Sequence, residues 1–209
     1  MLDILLIAFT LSLLYISIAN RLLTYIKILS FQGVILFGVA IIELHEINPV
    51  NFAIILIETI VFKAIAVPLF LGYVIRRNNI AREADSYLPN FMSLIIMTVI
   101  IAITFLVANT ISDHYLSKMY FVVVFSALFS GLYIISTRRK IITHVMGYLI
   151  IDNGVFLLSF AIGDKIPMLV NMGILLDIFA SVFLLGIFIN KVVDVLKDTD
   201  VNRLRNLKD

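Results

Sequence analysis

The apolar stretch 51–73, NFAIILIETIVFKAIAVPLFLGY, carries Glu58, Lys63 and Pro68 in its middle, and Asp152 and Asp177 stand at similar places in later apolar stretches. A charge near the centre of a bilayer costs ~2.5–3.5 kcal/mol on insertion scales, so a chain keeps one there only where it is paired, hydrated or useful. The chemistry open to such groups is proton transfer. Carboxylates and ammonium groups hold and release protons, and low dielectric brings an ammonium's release toward neutrality. Glu58, Lys63, Asp152 and Asp177 are therefore the candidate proton-relay residues, and no catalytic residue is expected.

Each of these has a plainer reading beside the chemical one. Lys63 could form a buried ion pair that fixes helix packing, and in either case it needs a carboxylate or a water-lined cavity rather than lipid. Glu58 precedes Lys63 by five residues, about 140° round an α-helix, so the two are expected on different faces with separate partners. Asp177 shares a helix face with Gly173 and Ser181, which allow close approach and hydrogen bonding. Asp152 stands next to Asn153 and Gly154, where a carboxylate could equally position a helix by hydrogen bonding. Pro68 has no N–H for the carbonyl of Ala64 and so can kink the helix or leave an acceptor for water. Gln32, Asn153 and Ser181 are the supporting polar groups.

The elements that must carry these residues are membrane spans. Of the 209 residues 62% are hydrophobic, with a mean hydropathy of +1.10, far above the roughly 45–50% apolar content of soluble domains. Apolar runs lie at 2–18, 28–42, 51–73, 91–111, 119–137, 145–163 and 168–190. They predict an all-α, polytopic membrane protein with about seven transmembrane helices. No connection is long enough for a second globular unit, so residues 1–209 read as a single integral membrane domain. The first run opens with Asp3 rather than a basic segment and reads as a retained anchor. The spans at 91–111 and 119–137 hold no ionisable residue besides Tyr120 and Tyr133, and read as lipid-facing or packing helices.

Charge placement sets the expected orientation. All but three of the 16 basic residues fall in the loops and tail of one side, the exceptions being Lys63, Lys118 and Lys165. The positive-inside rule puts that side in the cytoplasm, with the N-terminus outside and the C-terminus cytoplasmic. The net charge of +2 is too small to point to nucleic acid. With no cysteine, disulfides, thiolate metal sites and iron–sulfur ligation are absent. His45, His114 and His144 stand apart near span ends, without the paired spacing of a zinc or haem site. No nucleophile motif or phosphate loop is present. No cofactor or metal is expected, and redox chemistry would belong to a partner.

An internal match links the second and sixth spans. QGVILFGVAI from Gln32 aligns with NGVFLLSFAI from Asn153, and each is followed by a short outer turn and a span containing one acid. Both hairpins run from inside to outside and back, so a duplication would be a parallel repeat of 21–77 and 138–195.

The stretch HVMGYLIIDNG from His144, the span with Asp177, the tail from Asp200 to Lys208, and Lys63 followed by Val67 and Pro68 resemble component E of the hydrogenase 4 and formate hydrogenlyase-type complexes. This similarity covers most of the chain. More distantly, residues 138–209 are similar to the K subunit of respiratory complex I and to the C component of Mrp-type sodium/proton antiporters. The K subunit's first membrane glutamate falls on Leu149, nearly one turn before Asp152, and its second falls on Asp177 without a gap. The resemblance implies a small subunit of a proton-translocating membrane arm, beside antiporter-like membrane subunits and coupled to a peripheral hydrogenase module. The residues alone leave open a cation/proton antiporter subunit, or a scaffold whose buried charges hold helices together.

Overall fold

The computed structural model describes residues 1–43, 49–77, 86–110 and 117–161. The expected seventh span, with Asp177 and Ser181, lies outside these residues, as does most of the second half of the expected repeat. The described residues form helices α1 (Leu2–Ile18), α2 (Leu22–Glu43), α3 (Pro49–Leu56), a π-helical segment (Ile57–Ala66), α4 (Val67–Arg77), α5 (Asn90–Thr110), α6 (Lys118–Thr137) and α7 (Ile141–Ala161). The third apolar run is thus one span built of α3, the π segment and α4.

Five of these helices are long and apolar enough to cross a membrane: α2, the stretch Ile57–Arg77, α5, α6 and α7. At 17 residues, α1 reaches about 26 Å, a little less than the ~30 Å hydrocarbon core. The chain is therefore an all-helical, multi-pass membrane protein. A helix apolar on every side needs lipid or protein on every side. In α1 the exposed side chains Ile4, Ile7, Leu11 and Tyr15 recur at three and four residues, while Leu6, Phe9, Leu13 and Ile16 are buried on the opposite face. That alternation of faces is what a bundle helix bordering lipid requires.

The helix α2 is central, packing against α1, the π segment, α4 and α7. The most extensive contact is between α6 and α7, and glycines explain it. A Cβ on Gly131 would meet the Gly147 carbonyl oxygen at 2.6 Å, and one on Gly147 would meet the Gly131 oxygen at 2.9 Å. Bare backbones touch here because dispersion, and not a hydrophobic drive, joins helices in lipid. Of the two spans expected to be lipid-facing or packing, α6 is the packing helix. By contrast α5 sits at the edge with Phe91, Phe105 and Leu106 exposed. It is tied to α6 by Thr104 with Ser126 at 2.8 Å and by Ser130 donating to the Met97 sulfur at 3.0 Å.

The basic loops come together at one end of the bundle. Arg138 is the largest fully buried side chain, and its Nη2 donates to the carbonyl of Ser17 at 2.8 Å. The guanidinium lies 5.7 Å from the Tyr25 ring, and Arg139 lies 4.7 Å from the Tyr87 ring. A cation on the last carbonyls of α1 suits the negative end of that helix. Ser86 and Arg138 form an isolated antiparallel bridge, so the segment leading into α5 closes on the same end. At the far end the Tyr120 hydroxyl donates to Glu43 at 2.8 Å.

Candidate functional site

The π segment is where the site begins. Val67 N–H bonds the carbonyl of Phe62, a five-residue step in place of the α-helix's four. Ten residues follow this wider winding, among them Glu58 and Lys63. The expectation that these two occupy different faces assumed α-helical winding, and it is corrected here. A ladder that closes one residue later brings residues five apart round to neighbouring positions. Lys63 and Asp152 are the charged groups that act on Glu58, which is itself buried.

Lys63 finds its carboxylate in α7, where Nζ lies 2.5 Å from Asp152 Oδ2. The side chains are 10% and 5% exposed, so the pair is shielded from lipid and solvent alike. The ammonium also lies 4.7 Å from the centre of the Phe156 ring, one turn beyond Asp152. Glu58 has no hydrogen-bond partner among the described residues. The described residues thus join Lys63 and Asp152 across two spans, with Glu58 buried five residues before Lys63 in the π segment. Leu149 is a buried apolar side chain nearly one turn before Asp152.

The supporting polar groups form a line across three helices. Asn153 Nδ2 donates to Gln32 Oε1 at 3.0 Å, Gln32 Nε2 donates to Ser12 Oγ at 2.8 Å, and Ser12 Oγ donates to the Phe9 carbonyl at 2.5 Å. Gln32, Asn153 and Ser12 are all buried. The line ends on a backbone carbonyl and runs through amides, which donate and accept hydrogen bonds without taking up or releasing protons in the working range. It is a brace joining α7, α2 and α1 beside the ion pair, and it does not serve as a proton wire.

Two features hold the π segment against α2. A Cβ on Gly33 would lie 2.7 Å from the Ala64 nitrogen and 2.9 Å from the carbonyl carbon of Lys63, so only glycine admits this approach. The Ser30 hydroxyl donates to the Ala64 carbonyl at 2.5 Å, close to Pro68, whose missing N–H interrupts the helix's own ladder. Ser12, Ser30 and Phe156 were not among the sequence candidates. The signal that could have found the serines is their place as hydroxyls inside apolar spans, where such groups bond across helices. Among the described residues no three of His, Asp and Glu come together as a metal-ligand set.

Residues 119–209 match the family model of NADH-ubiquinone/plastoquinone oxidoreductase chain 4L, so the C-terminal part of the chain, α6 and α7 included, is similar to that complex I subunit. An uncharacterized protein of Mycobacterium tuberculosis is 22% identical over 190 residues, which cover 88% of this chain and 85% of the relative. No solved structure matches the chain.

Proposed function

We propose that this chain is a membrane subunit of a complex I-like respiratory or hydrogenase complex of the cytoplasmic membrane, in which buried charges relay protons or couple their movement. The observation that carries the reading is the Lys63–Asp152 pair, buried beside Glu58 within a π-helical stretch of a membrane span. Ionisable groups inside a membrane are costly and face protein or water where they work. The match of residues 119–209 to chain 4L supports the complex I-like setting, and the resemblance to hydrogenase 4 component E supports the hydrogenase variant. On this reading antiporter-like membrane subunits flank the chain, a peripheral hydrogenase module supplies the redox centres, and Glu58, Lys63, Asp152 and Asp177 are the titrating groups. The N-terminus is external and the C-terminus cytoplasmic.

The test is proton pumping in vesicles bearing the native complex, normalised to complex content. Asp177→Asn keeps the shape and most hydrogen bonding of the side chain but does not titrate in the working range. Reduced pumping with intact assembly, and with hydrogenase electron transfer to artificial dyes retained, is the expected result. Unchanged pumping removes Asp177 from the mechanism. Loss of the assembled complex favours a scaffold, and flux that requires sodium favours an antiporter subunit.

A further inference from the structure

Both halves of the ion pair are held from a single turn of α2. On the Lys63 side, Gly33 admits the backbone of Lys63 and Ala64, and Ser30 fastens the Ala64 carbonyl at 2.5 Å. On the Asp152 side, Gln32 accepts from Asn153, the next residue along α7, at 3.0 Å. Ser30, Gln32 and Gly33 themselves carry no group that titrates in the working range of a relay. What they share is contact with both partners of α2: the π segment through Ser30 and Gly33, and α7 through Gln32.

We infer that Ser30 and Gly33, acting with Gln32, are positioning residues that set the distance between the Lys63 ammonium and the Asp152 carboxylate. The physical basis is that the winding changes here from five-residue to four-residue steps, and Pro68 removes a donor just where the segment returns to α-helix. An external donor and a close-packed glycine add a constraint at that junction. The ammonium rides on a backbone clamped within one residue of its own Cα, while the carboxylate rides on a helix clamped by the neighbouring amide. The same turn of α2 is the reference for both.

The effect on proton flux rests on the proposed proton-coupling role, whereas the effect on geometry does not. The experiment therefore reads both on the intact complex. With lysine ζ-15N and aspartate γ-13C labels, solid-state NMR of the complex in lipid discs gives one nitrogen–carbon coupling that disappears in Lys63→Met and so reports the pair. Ser30→Ala and Gly33→Ala are expected to weaken that coupling and to shift the pH profile of pumping. Pumping per complex falls on the order of tenfold, since misplacing reacting groups by about 1 Å costs up to about a hundredfold. Ser30→Thr keeps the hydroxyl and is expected to restore coupling and flux together.

An unchanged nitrogen–carbon coupling in Ser30→Ala overturns the inference whatever the flux does. A Ser30→Thr variant as defective as Ser30→Ala overturns the role given to the hydroxyl. A weakened coupling with undiminished pumping upholds the positioning role and overturns the proton-coupling reading instead. If Gly33→Ala fails to assemble, the two Ser30 variants decide the matter by themselves.

Discussion

The side-chain amides of Gln32 and Asn153, 121 positions apart in the chain, are bonded to each other at 3.0 Å across the contact between α2 and α7. Both amides are buried, so water does not replace a partner removed from either of them. Gln32 spends its other end on Ser12, so its side chain joins α7 to α1 through two direct bonds.

Gln32→Leu is accordingly expected to destabilise the complex by about 1–3 kcal/mol, because it strands a buried donor on Asn153. Asn153→Leu is expected to cost a similar amount. The double variant should be no worse than either single one, since both remove the same bond. Thermal inactivation of the complex in lipid discs measures all three.

Breaking the ion pair on one side should cost more than removing it whole. Asp152→Leu leaves the Lys63 ammonium buried without its counter-charge, and such a change costs about 3–5 kcal/mol. Lys63→Met combined with Asp152→Leu should recover most of that stability, because apolar replacements of a buried pair are often neutral. Complex content and thermal stability of the single and double variants read this directly. On the proposed function, proton pumping stays low in both.

Glycines give a graded test of the packing. Gly131→Ala drives a methyl into the Gly147 carbonyl, which the tight backbone contact prevents from yielding, and about 1–3 kcal/mol of overpacking is expected. Gly72→Ala is the contrast, since its Cβ would meet only the Ile26 Cδ1 atom at 3.9 Å. That change should lie within about 0.5 kcal/mol of wild type. Detergent resistance of the purified complex separates the two.

Orientation can be read chemically because the chain has no native cysteine. Lys118 and Arg77 are exposed at opposite ends of the bundle. With the proposed topology, a membrane-impermeant maleimide labels Lys118→Cys in intact cells and leaves Arg77→Cys untouched, and inside-out vesicles reverse the pattern. Labelling of Arg77→Cys in intact cells would invert the assignment.

The spans were legible in the sequence because length and apolar content decide what crosses a bilayer, and the helices α1 to α7 fall on the first six apolar runs. Lys63 was legible as a residue in need of a carboxylate, although nothing in its own span named Asp152, 89 residues away, as the partner. The relation of Glu58 to Lys63 was not legible, since apolar patterning assumes 3.6 residues per turn and carries no mark of a π segment. Gln32 and Asn153 stood out as matched polar positions in two similar stretches, while the direct bond between them needed the packing of α2 on α7. Ser30 and Ser12 were hidden because a hydroxyl in a membrane helix can bond either its own backbone or a neighbouring helix, and only the packing decides which. The seventh span and Asp177 fall outside the described residues, and their roles remain with the proposal.

The clamp of Arg138 on Ser17 also has a meaning in time. The partner of the Ser17 carbonyl is made 121 residues after it, the same interval that separates Gln32 from Asn153. At a synthesis rate of about 5–20 residues per second, the hairpin of α1 and α2 waits roughly 6–24 s in the membrane with the end of α1 uncapped by Arg138 and Gln32 held by Ser12 alone. Both contacts that tie this hairpin to α6 and α7 therefore depend on residues made well after the hairpin itself is complete.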